Sequence, residues 1–503
     1  MELGLQFEDI LCYEATQRLV SAHEETVETA IPEYCPDITR IVDTVGQLTI
    51  QEKKSGEERC TASGSVKVSV LYTSEEAAGL RSLTLSVPFS CVLEDRTLAS
   101  CALLQVQGRV LLAEARVVTS RKLYIKVLPE ISVIGYRSVR RSVCCAADEE
   151  GSLRKRCCKK DVNLLSAVAE KAFSFTENVT VEEGCLPEDL LLYRLCPTIQ
   201  SAHRLGGKLM VKGEMQFYAL YRGEDQTLHQ HSAALPFSQI LDSAELPEEA
   251  EYALLPHMGE HEAHIIRTEA GGGFTLTGHV GVCIRVYQRR TLTLLDDIYS
   301  TRFDTVAERR QLTLPTAQPD TAVQQEGQLR LEFDGTAPFV SVTSIDCAPP
   351  EVFPEEGKAT LRTMLHVRLL YLDESGAPVS AERTVEVSAE VPKVEGIVSA
   401  RCYCAALRSG GGTCQVSLPV TFMIGCTGTV TLDTLTSVTL TEPEGETKER
   451  PSLILCRMCQ GETLWDIAKR YQTDEAAIRS ANGMESEGES CGEMLLIPCH
   501  KQQ

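Results

Sequence analysis

Three neighbouring histidines, His257, His261 and His264, have spacings that one helical face can bring to a single metal ion. The stretch around them, 256–271, is polar, so a surface loop accounts for them more simply, and no metal is assigned. Two adjacent pairs, Cys144-Cys145 and Cys157-Cys158, flank a charged segment. Side chains of adjacent residues diverge, unlike the Cys-x-x-Cys knuckle of structural zinc. Cys456 and Cys459 do have the knuckle spacing, with Cys491 and Cys499 further on. Their place on a strand-like segment favours packing or a disulfide over a metal. Glycine triplets at 271–273 and 410–412 would cradle phosphate only by opening a helix. Both lead instead into strand-like runs, 274–286 and 413–424, so hairpin turns are expected. The chain has no P-loop, dinucleotide fingerprint or His-Glu-x-x-His. The expectation is a protein without catalytic residues or cofactor.

The bulk properties narrow the classes further. A chain of 503 residues suits three or four domains, and its apolar fraction of 43% is enough to fill their cores. A formal charge of -22 argues against nucleic acid as a partner, since phosphate recognition needs clustered Lys and Arg. Basic residues do gather at Arg137, Arg140, Arg141 and at Arg154, Lys155, Arg156, Lys159, Lys160, a cluster read as a solvated linker face. Residues 1–10 lack the basic and apolar regions of a secretory signal, and no run approaches the ~18 apolar residues of a membrane span. A cytosolic protein with its 21 cysteines reduced is therefore expected.

The elements that would position any site come in three copies. Val66-Lys67-Val68-Ser69-Val70-Leu71-Tyr72 alternates apolar and polar residues and closes with Leu-Tyr. Met215-Gln216-Phe217-Tyr218-Ala219-Leu220-Tyr221 and Leu365-His366-Val367-Arg368-Leu369-Leu370-Tyr371 keep the same order, at steps of 149 and 150. Period-two alternation puts residues 66, 68, 70 and 72 on one face of a strand, and likewise in the other copies. Pro88-Phe89-Ser90 and Pro236-Phe237-Ser238 follow in two copies; the third has Ser388-Ala389-Glu390 there. Each copy reads as strands separated by turns, packed as antiparallel β-sandwich-like domains. Within this repeat region, helix is expected in the first residues and over 164–172.

The division that follows is an N-terminal segment 1–30, β domains at 31–145, 163–308 and 329–439, and linkers at 146–162 and 309–328. A flexible tether, 440–451, precedes a final module at 452–499. In that module the periodicity turns helical. Thr463 and Asp466 have capping-box spacing, and Leu464, Ile467, Ala468 and Tyr471 share one helical face. A second helix starts at Thr473-Asp474-Glu475 and ends at Asn482-Gly483. Short strands flank the pair, which gives a β-α-α-β unit. Trp465, the single tryptophan, is read as core packing ahead of ligand stacking.

Residues 461–471, Gly-Glu-Thr-Leu-Trp-Asp-Ile-Ala-Lys-Arg-Tyr, with Ile478, Asn482 and Leu495-Leu496-Ile497-Pro498, resemble the LysM family. That resemblance implies a groove for N-acetylglucosamine-containing glycan or a protein partner. Its walls would be Gly461, Glu462, Thr463 and Leu464 on one side and Asn482, Gly483 and Met484 on the other. Between Ser452 and Cys499 there are four basic and eight acidic residues, a balance suited to a basic protein surface more than to anionic cell wall. Ile31-Pro32-Glu33-Tyr34-Cys35-Pro36-Asp37-Ile38-Thr39-Arg40-Ile41, residues 64–72 and Pro88-Phe89-Ser90 resemble the SPOCS domain of spore-coat proteins, as do 186–189 and 213–221 in the second copy. SPOCS repeats followed by LysM look like a coat morphogenetic protein. The resemblance implies a non-enzymatic scaffold whose LysM docks on the sporulation stage IV protein A-like ATPase of the coat's basement layer. It also implies other coat proteins as partners, and a place in the mother-cell cytoplasm at the forespore surface. A peptidoglycan-binding protein is the alternative.

Overall fold

The structure is a computed structural model of the whole chain. It describes every residue except 77–78, 183–184, 243–245, 248, 269–270, 334–338, 393–395, 403–404, 411, 443–450, 460, 485–493 and 500–503. The first repeat comprises β1 (Leu5–Ala15), β2 (Leu19–Ala22), β3 (Glu25–Ala30), β4 (Arg40–Ser55), β5 (Arg59–Thr73), β6 (Leu80–Glu94), β7 (Cys101–Thr119) and β8 (Lys122–Ala147). The second comprises β9 (Leu153–Thr180), β10 (Pro187–Leu205), β11 (Lys208–Gly223), β12 (Leu228–Asp242), β13 (Glu251–Thr268) and β14 (Gly271–Ser300). The third comprises β15 (Asp304–Ala317), β16 (Thr321–Glu332), β17 (Val340–Cys347), β18 (Glu351–Pro354), β19 (Lys358–Leu372), β20 (Pro378–Pro392), β21 (Gly396–Cys402), β22 (Ala406–Gly410) and β23 (Thr413–Thr441). The module follows as β24 (Leu453–Arg457), α1 (Leu464–Tyr471), α2 (Glu475–Asn482) and β25 (Met494–Pro498). The expected class, mainly antiparallel β with a small β-α-α-β end, is what the chain adopts.

Each repeat is a sandwich of two sheets over one core. The Leu-Tyr strands β5, β11 and β19 lie at the centre of one sheet, and the long strands β8, β14 and β23 organise the other. Alternation aims Val66, Val68, Val70 and Tyr72 into the first core, Met215, Phe217, Ala219 and Tyr221 into the second, and Leu365, Val367, Leu369 and Tyr371 into the third. The leucine before each tyrosine points the other way. Leu71, Leu220 and Leu370 are all fully buried and meet Val45, Leu191 and Leu192 in a cluster shared by the three repeats. The closing dipeptide thus serves two cores at once, the tyrosine inside its sandwich and the leucine between sandwiches.

Two copies carry a glycine beneath an aromatic ring. Gly64 pairs with Phe89, and Gly213 pairs with Phe237. On the other side of each glycine the partner strand has a register shift, between Ile50 and Glu52 and between Ile199 and Ser201. A Cβ on Gly213 would stand 2.1 Å from Thr198 O and 2.7 Å from Phe237 Cζ. In the third copy Thr363 pairs with Val387, so glycine and aromatic are lost together. The structural counterpart of Pro-Phe-Ser is therefore 386–388, not the expected Ser388-Ala389-Glu390. The partner strand is also interrupted there between β17 and β18, where Thr363 Oγ1 donates to Ala348 O at 2.6 Å. Gly213→Ala is expected to lose about 1–3 kcal/mol through this overpacking, read as a lower urea midpoint with unchanged slope.

Several segments differ from the sequence reading. Residues 1–30 are no separate piece, since β1, β2 and β3 all pair with β8. The stretches read as linkers, 146–162 and 309–328, are mostly strand, in β9 and in β15 and β16. The first residues and 164–172 are strand rather than helix, because pairing with β8 and β14 overrides local helix propensity. The far halves of β1/β8, β9/β14 and β15/β23 extend beyond the sandwiches as two-stranded ribbons. These ribbons pack together around Ile10, Cys12, Val139, Val162, Leu164, Leu292, Leu312, Leu314 and Leu432. Each ribbon has one solvent face, which is why its composition reads as a charged loop. Leu3 N donates to Val438 O at 2.9 Å and Leu440 N to Met1 O at 2.8 Å, tying the first repeat to the third.

Candidate functional site

Local capping sets the bounds of the module's helices: a reciprocal box opens α1, and a left-handed glycine closes α2. Asp466 N donates to Thr463 Oγ1 at 3.3 Å and Thr463 N to Asp466 Oδ2 at 2.9 Å, the reciprocal box expected there. The Thr463 hydroxyl, donating to Asp466 Oδ2 at 2.7 Å, and then the Thr463 N–H hold the Asp466 carboxyl below its ordinary pKa. Gly483 ends α2 with φ of 64°, a left-handed conformation that glycine adopts without strain. Leu464, Ile467, Ala468, Ile478, Leu495 and Ile497 are buried between the helices and the β24/β25 pair.

The expected groove residues have diverse surroundings. Gly461 and Gly483 are exposed, with open space where a Cβ would stand. Glu462 accepts from Cys459 N at 3.1 Å and pairs with Arg470. Thr463 is committed to the cap, and Leu464 lies in the core, not on a groove wall. Asn482 Nδ2 donates to Ile478 O at 2.8 Å and to Leu496 O at 2.7 Å, while its Oδ1 accepts from Leu496 N at 2.7 Å. It stitches α2 to β25. Met484 packs on the module's core. The side-chain polar atoms of this set are thus largely spent inside the module.

The outward face of the β24/β25 pair is apolar apart from Arg457, opposite Met494. Leu453, Leu455, Met494 and Leu496 are 55%, 63%, 57% and 39% exposed, with Leu455 opposite Leu496. Large apolar side chains grouped on one small sheet face are a common mark of an interaction surface.

Trp465 belongs to the module's core and to a joint with the second repeat. Its Nε1 donates to Asp297 Oδ2 at 2.8 Å, Tyr299 meets its ring edge-on at 4.9 Å, and the Arg156 guanidinium lies over it at 5.2 Å. Asp297 also accepts from Lys469 Nζ at 2.7 and 2.9 Å and from Arg309 Nη2 at 3.1 Å. Tyr299 Oη donates to Thr473 O at 2.7 Å, Gln472 Nε2 to Asp304 Oδ1 at 2.7 Å, and Arg154 pairs with Asp474. The module is therefore held against the end of β14 rather than hanging on a tether, whose central residues, 443–450, lie outside the described ones. Arg154 and Arg156, read as a solvated linker face, are part of this joint. Sequence reasoning missed Asp297 and Tyr299 because nothing local ties them to a tryptophan that lies 168 residues from the first of them.

The remaining chemistry candidates are not brought together. His257, His261 and His264 lie on strand β13, not in a loop or on a helix face. Burial lowers the pKa of His257 and of His261, and His264 pairs with Glu262 at 3.0 Å. Cys456 is buried in the module while Cys459 is exposed, and Cys491 lies outside the described residues. Among the described residues no group of three or more His, Cys, Asp or Glu side chains is placed to hold a metal, and no helix is long and apolar enough to cross a membrane. Glycines 271–273 open β14, with Thr268 opposite Gly271 across the hairpin; the turn residues 269–270 lie outside the described ones.

Comparison with known proteins places a LysM domain at residues 460–498. No curated protein and no solved structure matches the chain.

Proposed function

We propose that this protein is a non-enzymatic assembly scaffold, in which three interlocked β repeats present a LysM module for docking on a protein partner. The observation that carries this reading is the exposed apolar row Leu453, Leu455, Met494 and Leu496 on a module otherwise held fast by the second repeat. A module fixed in orientation suits an ordered assembly, since its position is set before the partner arrives. The resemblance of the repeats to SPOCS domains names the setting. The partner is then a basement-layer ATPase of the sporulation stage IV protein A type, with other coat proteins, on the mother-cell side of the forespore surface.

A second reading has an observation of its own. The LysM family match suggests peptidoglycan or another N-acetylglucosamine-containing glycan, and the open backbone at Gly461 and Gly483 leaves room for a sugar chain. Two variants of the full chain separate the readings. Leu455→Glu with Leu496→Glu is expected to abolish co-sedimentation with the purified polymerised ATPase and to leave chitin-oligomer titration unchanged. Gly461→Asn with Gly483→Asn, a residue that tolerates the left-handed conformation both positions hold, is expected to weaken chitin-oligomer binding and to spare the ATPase interaction. Retention of wild-type protein on purified sacculi alone, with no ATPase binding, would reverse the assignment.

A further inference from the structure

A cavity of about 500 Å³ opens where the three repeats meet. Its walls come from β4, β7 and β8 of the first repeat, β9 and β13 of the second, and β21 of the third. Cavities of this size at a junction of packed units are the usual setting for a small ligand. Leu48, Ile50, Val106 and Met258 supply apolar wall.

The charged lining is unevenly matched. Glu52, Glu130 and Glu170 face the cavity, and each already has a cation: Lys54 at 2.9 Å, Arg109 at 2.6 Å, and Lys53. Arg109 also pairs with Asp346 at 3.1 Å. Arg18 differs. It is half-buried, donates from Nη2 to Ser132 Oγ at 3.1 Å, and among the described residues has no carboxylate within 4.0 Å. Burial lowers its pKa, with the charge of Glu130 opposing and that of Arg109 adding to the effect. A guanidinium remains protonated regardless, and it carries five N–H donors in a planar fork. Arg18 uses one of them on Ser132, which leaves most of the fork for an oxyanion.

We propose that the cavity binds a small organic anion, its carboxylate or phosphate on Arg18 and its apolar body against Leu48, Ile50 and Met258. Because all three repeats wall the site, a bound anion links them and raises the stability of the whole assembly.

Benzoate and benzamide test this, having the same shape and differing in charge, with inorganic phosphate as the bare head group. In calorimetric titrations of the full chain at low salt, benzoate binds saturably, benzamide does not, and phosphate competes with benzoate. Benzoate also raises the melting temperature. Arg18→Met weakens benzoate binding on the order of 10- to 100-fold, the loss of a charge-assisted bidentate contact. Arg18→Lys keeps the charge without the fork and gives an intermediate affinity, so a folding defect in the methionine variant would not hide the result. Equal binding of benzoate and benzamide overturns the proposal, as does benzoate affinity unchanged in both Arg18 variants. Absence of saturable binding by either anion overturns it too.

Discussion

Asp297→Ala releases the LysM module from the β body while leaving it folded. The Asp297 side chain is 6% exposed, and its carboxylate is the common acceptor for Trp465, Lys469 and Arg309. Its loss strands a buried indole N–H and two cations. A fully buried pair broken on one side costs ~3–5 kcal/mol; here about 2–4 kcal/mol is expected, because water can reach the cations. Lys469 and Arg309 are 37% and 33% exposed. Leu464, Ile467, Ile478 and Ile497 form the module's own core and do not depend on the joint. The expected readout is a red-shifted emission of the single tryptophan and faster proteolysis between the third repeat and the module, with helical circular dichroism retained. The joint should also respond to acid. Burial raises the pKa of Asp297, but the bonds from Lys469 and Trp465 outweigh it and hold the group below its ordinary value. A carboxyl depressed in the docked state contributes fully above its free pKa of about 3.9 and loses that contribution as pH falls through the docked value. Undocking is therefore expected only below pH ~4 in the wild type and is already complete at neutral pH in the variant. Tryptophan emission in Asp297→Ala that matches the wild type at neutral pH would refute the joint.

Asp320→Ala is expected to be the most damaging single substitution for the body. Asp320, between β15 and β16, pairs with Arg285 on β14, and Tyr287 Oη donates to its Oδ1 at 3.1 Å. The two charged side chains are 9% and 2% exposed, so neither can rehydrate when its partner goes. Breaking such a pair costs about 3–5 kcal/mol, since a lone guanidinium is left in an apolar joint between the second and third repeats. Replacing both, as Arg285→Met with Asp320→Leu, removes the stranded charge and should recover most of that loss. Urea denaturation of the single and double variants measures both. A single variant as stable as the wild type would mean that the third repeat is held to the second by apolar contacts alone.

Much of this architecture is legible in the chain because alternation and capping act over a few residues. The Leu-Tyr strands, their inward faces and the spacing of the copies follow from period-two patterning. So do the β-α-α-β order of the module and its capping box, which need only Thr463, Asp466, Gly483 and the apolar stripe of α1. The ribbons were hidden for an equally physical reason. A two-stranded ribbon with one wet face has the composition of a linker, and only its partner strand distinguishes it. At 164–172 the alanine-rich sequence favours helix locally, and pairing with β14 decides otherwise.

The thrice-used strand pattern and the small capped-helix domain can be read from the residue order alone, since both are written in contacts between near neighbours along the chain. The interlocking of the three repeats through Leu71, Leu220 and Leu370, and the meeting of Trp465 with Asp297 as well as its own module, emerge on folding. Those contacts join residues more than a hundred positions apart. No local periodicity encodes them; they exist because buried apolar and charged groups must find partners wherever the folded chain brings them.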